Sequence, residues 1–304
     1  MQLLKRRRFS DNFNDTFSFV KLYGKHFFKN YFILNGLPLI FMLVVLYFFT
    51  TTFMGLSTFQ NGDTGKIIED YIANNSTLFI VITLSSVVVF FIFAIIQYTF
   101  VPIYMILYQR NNGINFTSKD IFNVMFKEKI GKILIFMFAS FLLLIPTIIV
   151  GGILGLLLLI TIFGIIFLFA YISMFYNNAM FEYLETDKGI WECFGYSFAM
   201  LQVKFWDNVG AIGLFILLST FVSGGISVVA NMISMVFAAN TANRSERETM
   251  MMLAMLVAFI ISKTISIFVQ TIIQLAQAMV YYSVKEEMEN IVTVSEIDKI
   301  GLGE

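Results

Sequence analysis

The sequence predicts an all-α polytopic transmembrane bundle of six spans, with amphipathic helices lying in-plane at the cytoplasmic side. Three observations predict it. Apolar residues make up 58% of the 304 positions and charged residues 13%, with a mean hydropathy of +0.81, a balance far from that of an ordinary soluble domain. The apolar residues gather into runs at roughly 31–56, 77–108, 132–150, 154–177, 208–239 and 250–284, lengths suited to crossing about 30 Å of hydrocarbon. Basic residues are segregated by side. With the N-terminus inside, sixteen Lys and Arg fall in cytoplasmic segments against three, Lys66, Arg244 and Arg247, outside. That positive-inside bias places both termini in the cytoplasm.

The chain therefore reads as one integral membrane domain over 1–304. Within it, 1–30 is a cytoplasmic amphipathic segment, 31–284 the six-span bundle and 285–304 a cytoplasmic tail. The opening "MQLLKRRRFSDNFNDTF" has four consecutive basic residues followed by Ser, Asp and Asn, where a signal peptide would carry its apolar core, so a retained end is expected. The stretch 133–176 has no charged residue and is broken only by Pro146 and "GGILG" at 151–155. It is about twice a spanning length, so a helical hairpin turning at Gly151 and Gly152 is expected, with a re-entrant segment as the alternative that would change the parity.

Three stretches share one scheme of helix start, apolar stripe and basic or aromatic entry to a span. They are 9–32, 115–134 and 186–210, with Phe9, Phe13, Phe17, Val20 and Phe27 striping the first and Trp191, Phe194, Phe198 and Leu201 the third. An apolar stripe serves equally an in-plane helix at the anionic leaflet and a connecting helix packed on the bundle. Both readings stand at this level.

Several chemistries find no motif. One histidine, His26, and one cysteine, Cys193, preclude an H-E-x-x-H metalloprotease helix and an intrachain disulfide. No P-loop and no G-x-S-x-G elbow is present. The formal net charge of zero gives no pointer to nucleic acid. The acids Glu182, Glu185, Asp187 and Glu192 lack metal-loop spacing and read as a solvated connection. Neither a cofactor nor a metal site is expected.

The polar features inside the spans are two. Ser219, Ser223, Gly224 and Ser227 offer either close packing and a bend in the fifth span, or an unwound region facing the sixth. In the sixth, Lys263, Ser266, Gln270, Gln274, Gln277 and Tyr281 fall within about 60° of one helical face. This stripe is either interhelical glue or, with Ser223, a polar groove for a headgroup or solute. The sequons opening at Asn74, Asn75 and Asn243 lie on the expected outer side.

The segment "MFEYLETDKGIWECFGYSFAMLQVKFWDNVG" between the fourth and fifth spans, with Glu182, Gly189, Glu192, Ser197 and Trp206 in place, resembles bacterial membrane proteins related to the membrane domain of glycerophosphodiester phosphodiesterases. The closing "YYSVKEEMENIVTVSEIDKIG" resembles the tail of a subset of them. The resemblance implies a multi-pass protein of the bacterial inner membrane and supplies no catalytic residue. The expectation for function is a non-enzymatic membrane protein that binds lipids or serves as scaffold or accessory to a membrane complex. The alternative is a permease or lipid mover using a groove between the fifth and sixth spans. Expected partners are membrane lipids with anionic headgroups and a membrane-protein partner or second copy.

Overall fold

The computed structural model describes residues 1–57, 76–158, 161–239 and 244–292. Among them the secondary structure is helical, without a strand. In chain order the helices are α1 (Phe9–Ser57), α2 (Ser76–Arg110), α3 (Ser118–Asn123, continued by a π turn at Val124–Glu128), α4 (Ile130–Leu158), α5 (Ile162–Glu185), α6 (Ile190–Gln202), α7 (Phe205–Ala239) and α8 (Arg244–Glu289). Six of them, α1, α2, α4, α5, α7 and α8, are long and apolar enough to cross a bilayer. Their surfaces match that reading. On α4, Phe138, Phe141, Ile145, Ile148, Leu156 and Leu157 are all exposed, an arrangement a water-facing helix would not carry and a lipid-facing one requires. The chain is an integral, multi-pass, all-α membrane protein.

It divides into two compact units: Met1–Phe32, Tyr98–Ser219 and Val269–Glu304 in the first, Ile33–Gln97 and Thr220–Phe268 in the second. The first holds an aromatic core. Phe19, Phe27 and Tyr31 of α1, all buried, meet Phe100, Tyr104 and Tyr108 of α2, with ring centroids 4.9 Å apart for Phe27 and Tyr104 and 5.2 Å for both Phe27 and Tyr31 against Phe100. His26 ties this core to the next connection. Its Nε2 lies 2.8 Å from the Phe116 carbonyl and its Nδ1 2.8 Å from the Tyr104 hydroxyl. A carbonyl only accepts, so the neutral ring carries its proton on Nε2 and Nδ1 accepts from the tyrosine. The lone histidine is a structural bridge.

The amphipathic blocks take different forms. The first is not a separate in-plane helix, because α1 runs unbroken from Phe9 to Ser57 across the expected boundary at 30. Nothing between Asn30 and Gly36 interrupts the hydrogen-bond ladder, and Pro38 lies beyond it. Its stripe is also rotated from the expected one: Phe19, at no predicted position, is fully buried, whereas Phe9 and Phe17 remain partly exposed. Phe13 and Phe17 pack on Phe215 of α7, at 4.9 and 5.7 Å between centroids. The second block is capped at Thr117, whose backbone N–H and hydroxyl both donate to Asp120 Oδ2 at 2.8 Å, bonds that hold the Asp120 carboxyl below its ordinary value. The third is α6, a discrete helix that buries Cys193, Phe194, Ser197, Met200 and Leu201 and exposes Trp191 and Phe198.

The hairpin between the third and fourth spans forms, but its turn is displaced. α4 continues through Gly151 and Gly152 to Leu158, and α5 begins after Thr161. The expected turn at those glycines is thus corrected: the helix tolerates both, and Gly151, unlike Gly152, faces a neighbouring side chain. A Cβ on Gly151 would lie 3.3 Å from Ile172 and one on Gly155 3.8 Å from Leu168, while Thr147 Oγ1 meets Tyr176 OH at 2.9 Å. Each step of four along α4 is matched by a step of four back along α5, an antiparallel pair in constant register. Gly164 is the glycine the connection needs, since a Cβ there would lie 2.7 Å from Thr161 Oγ1 and 3.1 Å from Leu158 Cβ.

In the second unit α7 is continuous through Gly224 and Gly225, so the unwound alternative for the fifth span does not occur, and neither glycine has an atom within 4 Å of an added Cβ. Lys66, Asn74, Asn75 and Asn243, and the tail from 293 onward, lie outside the described residues.

A glycine test separates the turn from the helix. Gly164→Val should destabilise the detergent-solubilised protein by about 1–3 kcal/mol through overpacking. Gly152→Ala, with nothing within 4 Å, should leave thermal unfolding unchanged or slightly raise its midpoint.

Candidate functional site

The last turns of α5 and α8 carry the densest polar chemistry in the first unit. The two helices run side by side in the same direction with a constant offset of one hundred residues. Asn177 Nδ2 donates to Gln277 Oε1 at 2.7 Å, Gln277 Nε2 donates to Ser173 Oγ at 2.6 Å, and Phe181 stacks on Tyr281 at 4.9 Å. One turn further on, the contacts become ionic. Glu182, fully buried, accepts from Lys188 Nζ on Oε1 at 2.6 Å and from Lys285 Nζ on Oε2 at 3.0 Å.

Tyrosines close the cluster. The Tyr281 hydroxyl donates to Glu182 Oε2 at 2.7 Å, and Tyr282 donates to Glu185 Oε1. Lys285 spends its three protons on Glu182 Oε2, Glu185 Oε2 at 3.1 Å and the Tyr281 hydroxyl at 2.9 Å. Two carboxylates and two ammonium groups leave the cluster neutral. Lys188 also lies 4.1 Å from the Tyr196 ring, and Tyr196 donates to Glu289. Around the rim, Lys132 donates to the Thr186 carbonyl and pairs with exposed Asp187 at 3.2 Å, fastening the start of α4 to the end of α5.

The local sequence explains the placement. Asn178, Glu182 and Glu185 recur at i, i+4 and i+7, which puts them on one face of α5, and Tyr281 and Lys285 stand one turn apart on α8. That recurrence was the legible signal. A charge cluster next to a loop usually belongs to solvent, and the burial of Glu182 departs from that rule. Glu182 is buried and Glu185 half-buried, whereas Asp187 and Glu192 are exposed.

Chemically, the arrangement fastens helices. Glu182 is fully buried and accepts three hydrogen bonds, from Lys188, Lys285 and Tyr281, so its carboxylate is committed to holding three segments together. Among the described residues no group of three or more His, Cys, Asp or Glu side chains is disposed to hold a metal ion. Cys193 is buried, and burial pushes its thiol up to about 11, which keeps it in the unreactive form.

A second knot lies in the N-terminal segment. Arg7 is buried, and its guanidinium donates to the carbonyls of Leu3 at 2.7 Å and Gln2 at 2.9 Å and to Asp15 Oδ2 at 2.8 Å, while its backbone N–H donates to Ser283 Oγ at 2.8 Å. Burial lowers its pKa, opposed by Asp15. The N-terminal basic run thus sends one member inward, fixing the segment to α8.

The polar stripe of α8 divides. Gln277 bonds α5 as above, and Gln274 is buried with its Oε1 accepting no hydrogen bond. Gln270 is exposed; all three lie in the first unit. In the second unit Ser266 and Ser223 are half-buried, and exposed Lys263 sits 5.3 Å from the Phe259 ring one turn back. Of the resemblance positions, Ser197 Oγ donates to the Phe175 carbonyl at 2.6 Å, Gly189 caps α6, and Trp206 is 72% exposed.

Two grooves flank α5. One, of about 300 Å³, runs between α4 and α5 to α6, lined by Pro146, Val150, Leu154, Leu168, Ile172 and Phe198 among others. The other, of about 330 Å³, lies between α5 and α7, lined by Phe9, Ile166, Phe167, Trp206, Gly213 and Leu217 among others. Both are walled by apolar side chains of spanning helices. Fold and site together define an integral membrane helix bundle with ionic fasteners and apolar grooves. No family model, no curated protein and no solved structure matches the chain.

Removing one partner of a buried ion cluster strands the other. Glu182→Leu should therefore cost about 3–5 kcal/mol, and Lys285→Met added to it should return part of that loss, since the paired apolar replacement leaves less charge uncompensated. Denaturant titration of the purified singles and the double variant in detergent reads the difference. For Cys193 the expected outcome is no alkylation by a maleimide in the native protein and full alkylation after denaturation.

Proposed function

We infer that this chain is a non-enzymatic protein of the bacterial inner membrane, both termini cytoplasmic, that binds membrane lipid and serves as an accessory to other membrane components. The observation that carries the reading is the pair of apolar grooves beside α5, one with Phe198 and the other with Trp206 at its rim. Grooves between spanning helices that are walled by aliphatic and aromatic side chains fit acyl chains better than a polar solute. The ionisable groups of α5 and α8 support it from the other side, because they are spent on each other. The resemblance of the sequence to the phosphodiesterase membrane domains belongs to the same reading, as does its basic asymmetry.

One observation favours the second reading, a permease: the buried Gln274 Oε1 has no donor, the kind of unspent polar group a solute path uses. If Gln274 only packs, Gln274→Leu should be neutral or stabilising.

Native mass spectrometry of the purified protein tests the proposal. Phospholipid should remain bound at activation energies that strip detergent, with phosphatidylglycerol favoured over phosphatidylcholine. A chain that emerges lipid-free overturns the lipid-binding reading. For topology, cysteines placed at Ser10 and Thr117, both exposed, should label only from the cytoplasmic side and those at Asp63 and Ser245 only from outside, with native Cys193 silent. Labelling of position 117 from outside overturns the orientation.

A further inference from the structure

The groove between α5 and α7 has features that its neighbour lacks. Its floor is made by two glycines one turn apart on α7: a Cβ on Gly210 would meet the Phe9 ring at 3.5 Å and one on Gly213 the Phe167 ring at 3.6 Å. Both distances are ordinary contact, so the absence of side chains is not forced by crowding. It leaves an open channel. From Trp206 to Leu217 the groove follows about 16 Å of helix at 1.5 Å per residue, roughly half the depth of a hydrocarbon core.

The end of the groove at Phe9 and Trp206 is where α1 and α7 begin, and the charge there is unbalanced toward cations. Lys5 and Arg7 share the single carboxylate of Asp15, at 3.6 and 2.8 Å. Arg6 and Lys204 share that of Glu287, at 3.8 and 2.8 Å. Arg8, next to the groove-lining Phe9, is exposed, and its guanidinium makes no ion pair among the described residues. The acid nearest in sequence, Asp11, is engaged with the Arg8 backbone N–H at 3.1 Å. Asp207, beside Trp206, stands in the first turn of α7, where the helix N-terminus compensates a negative charge.

The geometry points to a specific binding site for one anionic phospholipid, its acyl chain in the α5–α7 groove against Gly210 and Gly213, its phosphate at Arg8 and its glycerol region at Trp206. This rests on the lipid-binding reading and names the ligand and the place. Hydrocarbon depth supplies the chain, an exposed indole at the rim matches the interfacial region, and a free guanidinium matches a phosphate in bidentate fashion. Arg8 is set in place by its neighbours, since Arg7 is pinned to α8 through Ser283 and Phe9 is seated on Gly210.

The chain has two tryptophans, so Trp191→Phe leaves Trp206 as sole reporter; Trp191 is exposed and its loss should not disturb folding. The protein is reconstituted into phosphatidylcholine vesicles containing increasing fractions of phosphatidylglycerol or phosphatidylcholine with brominated acyl chains, and quenching of Trp206 is recorded. Brominated phosphatidylglycerol should quench at about fivefold lower mole fraction than brominated phosphatidylcholine, the preference one basic side chain confers. Arg8→Gln, at an exposed position, should erase that preference, and Gly213→Leu should remove the low-fraction component by filling the channel. Equal quenching by the two lipids in the parent protein overturns the site, as does a preference that survives undiminished in Arg8→Gln. If phosphatidylglycerol still copurifies in native mass spectra while Trp206 shows no preference, the lipid-binding reading stands and this site fails. Loss of both overturns both.

Discussion

The parallel pairing of α5 with α8 is the constraint on which the first unit is built. Glu182 and Lys285 are opposite charges removed from water, and each is affordable only because the other is within 3.0 Å and the tyrosines complete their hydrogen bonds. Such a cluster contributes little net stability compared with an apolar core. What it supplies is register: a shift of one residue along either helix would strand a buried charge. The same register delivers Asn177 to Gln277 and Phe181 to Tyr281, so the amide and aromatic contacts below follow from the ionic one above.

Neighbouring elements take their positions from this pair. α5 is held on its other side by α4, through the small residues at 151 and 155 and the Thr147–Tyr176 bond. Its end is fastened to α4 by Lys132, and α6 is anchored to it by Ser197. α8 receives the N-terminal segment through Arg7 and Ser283 and the start of α7 through Lys204 and Glu287. Lys204 makes that contact from a left-handed backbone conformation, φ 46°, at the junction of α6 and α7. A glycine would adopt it at less cost, so the side chain's ion pair offsets the strain.

This division of labour also shapes the surface. Because the carboxylates at the end of α5 pair with Lys188 and Lys285, the sides of α5 that remain open are largely apolar, and they are the two grooves. Where α1 and α7 begin, the cations of the N-terminal run and Lys204 outnumber the carboxylates they share, and Arg8 makes no ion pair among the described residues. An apolar channel ending in surplus positive charge is the arrangement that an amphiphile with an anionic head complements, and it arises here from how the internal pairs were satisfied.

The all-α, six-span architecture was legible in the sequence because burial in lipid obliges every spanning segment to be a long uninterrupted apolar run, and such runs can be counted. The hairpin at 133–176 was legible for the same reason, from length alone. Its turn was not: glycines weaken a helix in propensity, yet Ile172 facing Gly151 and Leu168 facing Gly155 accommodate small residues there, and only the partner helix decides which effect wins. The stripe of α8 showed that Gln277 had to face something, without naming Ser173 and Asn177. Glu182 and Glu185 read as solvated because a carboxylate's burial depends on a counter-charge, and although Lys188 is near in sequence to Glu182, the cation that joins both acids is Lys285, about one hundred residues away in the chain. Periodicity and length are local properties and the sequence carries them openly; ion pairing, register and the grooves are relations between distant segments, and the tertiary structure alone decided them.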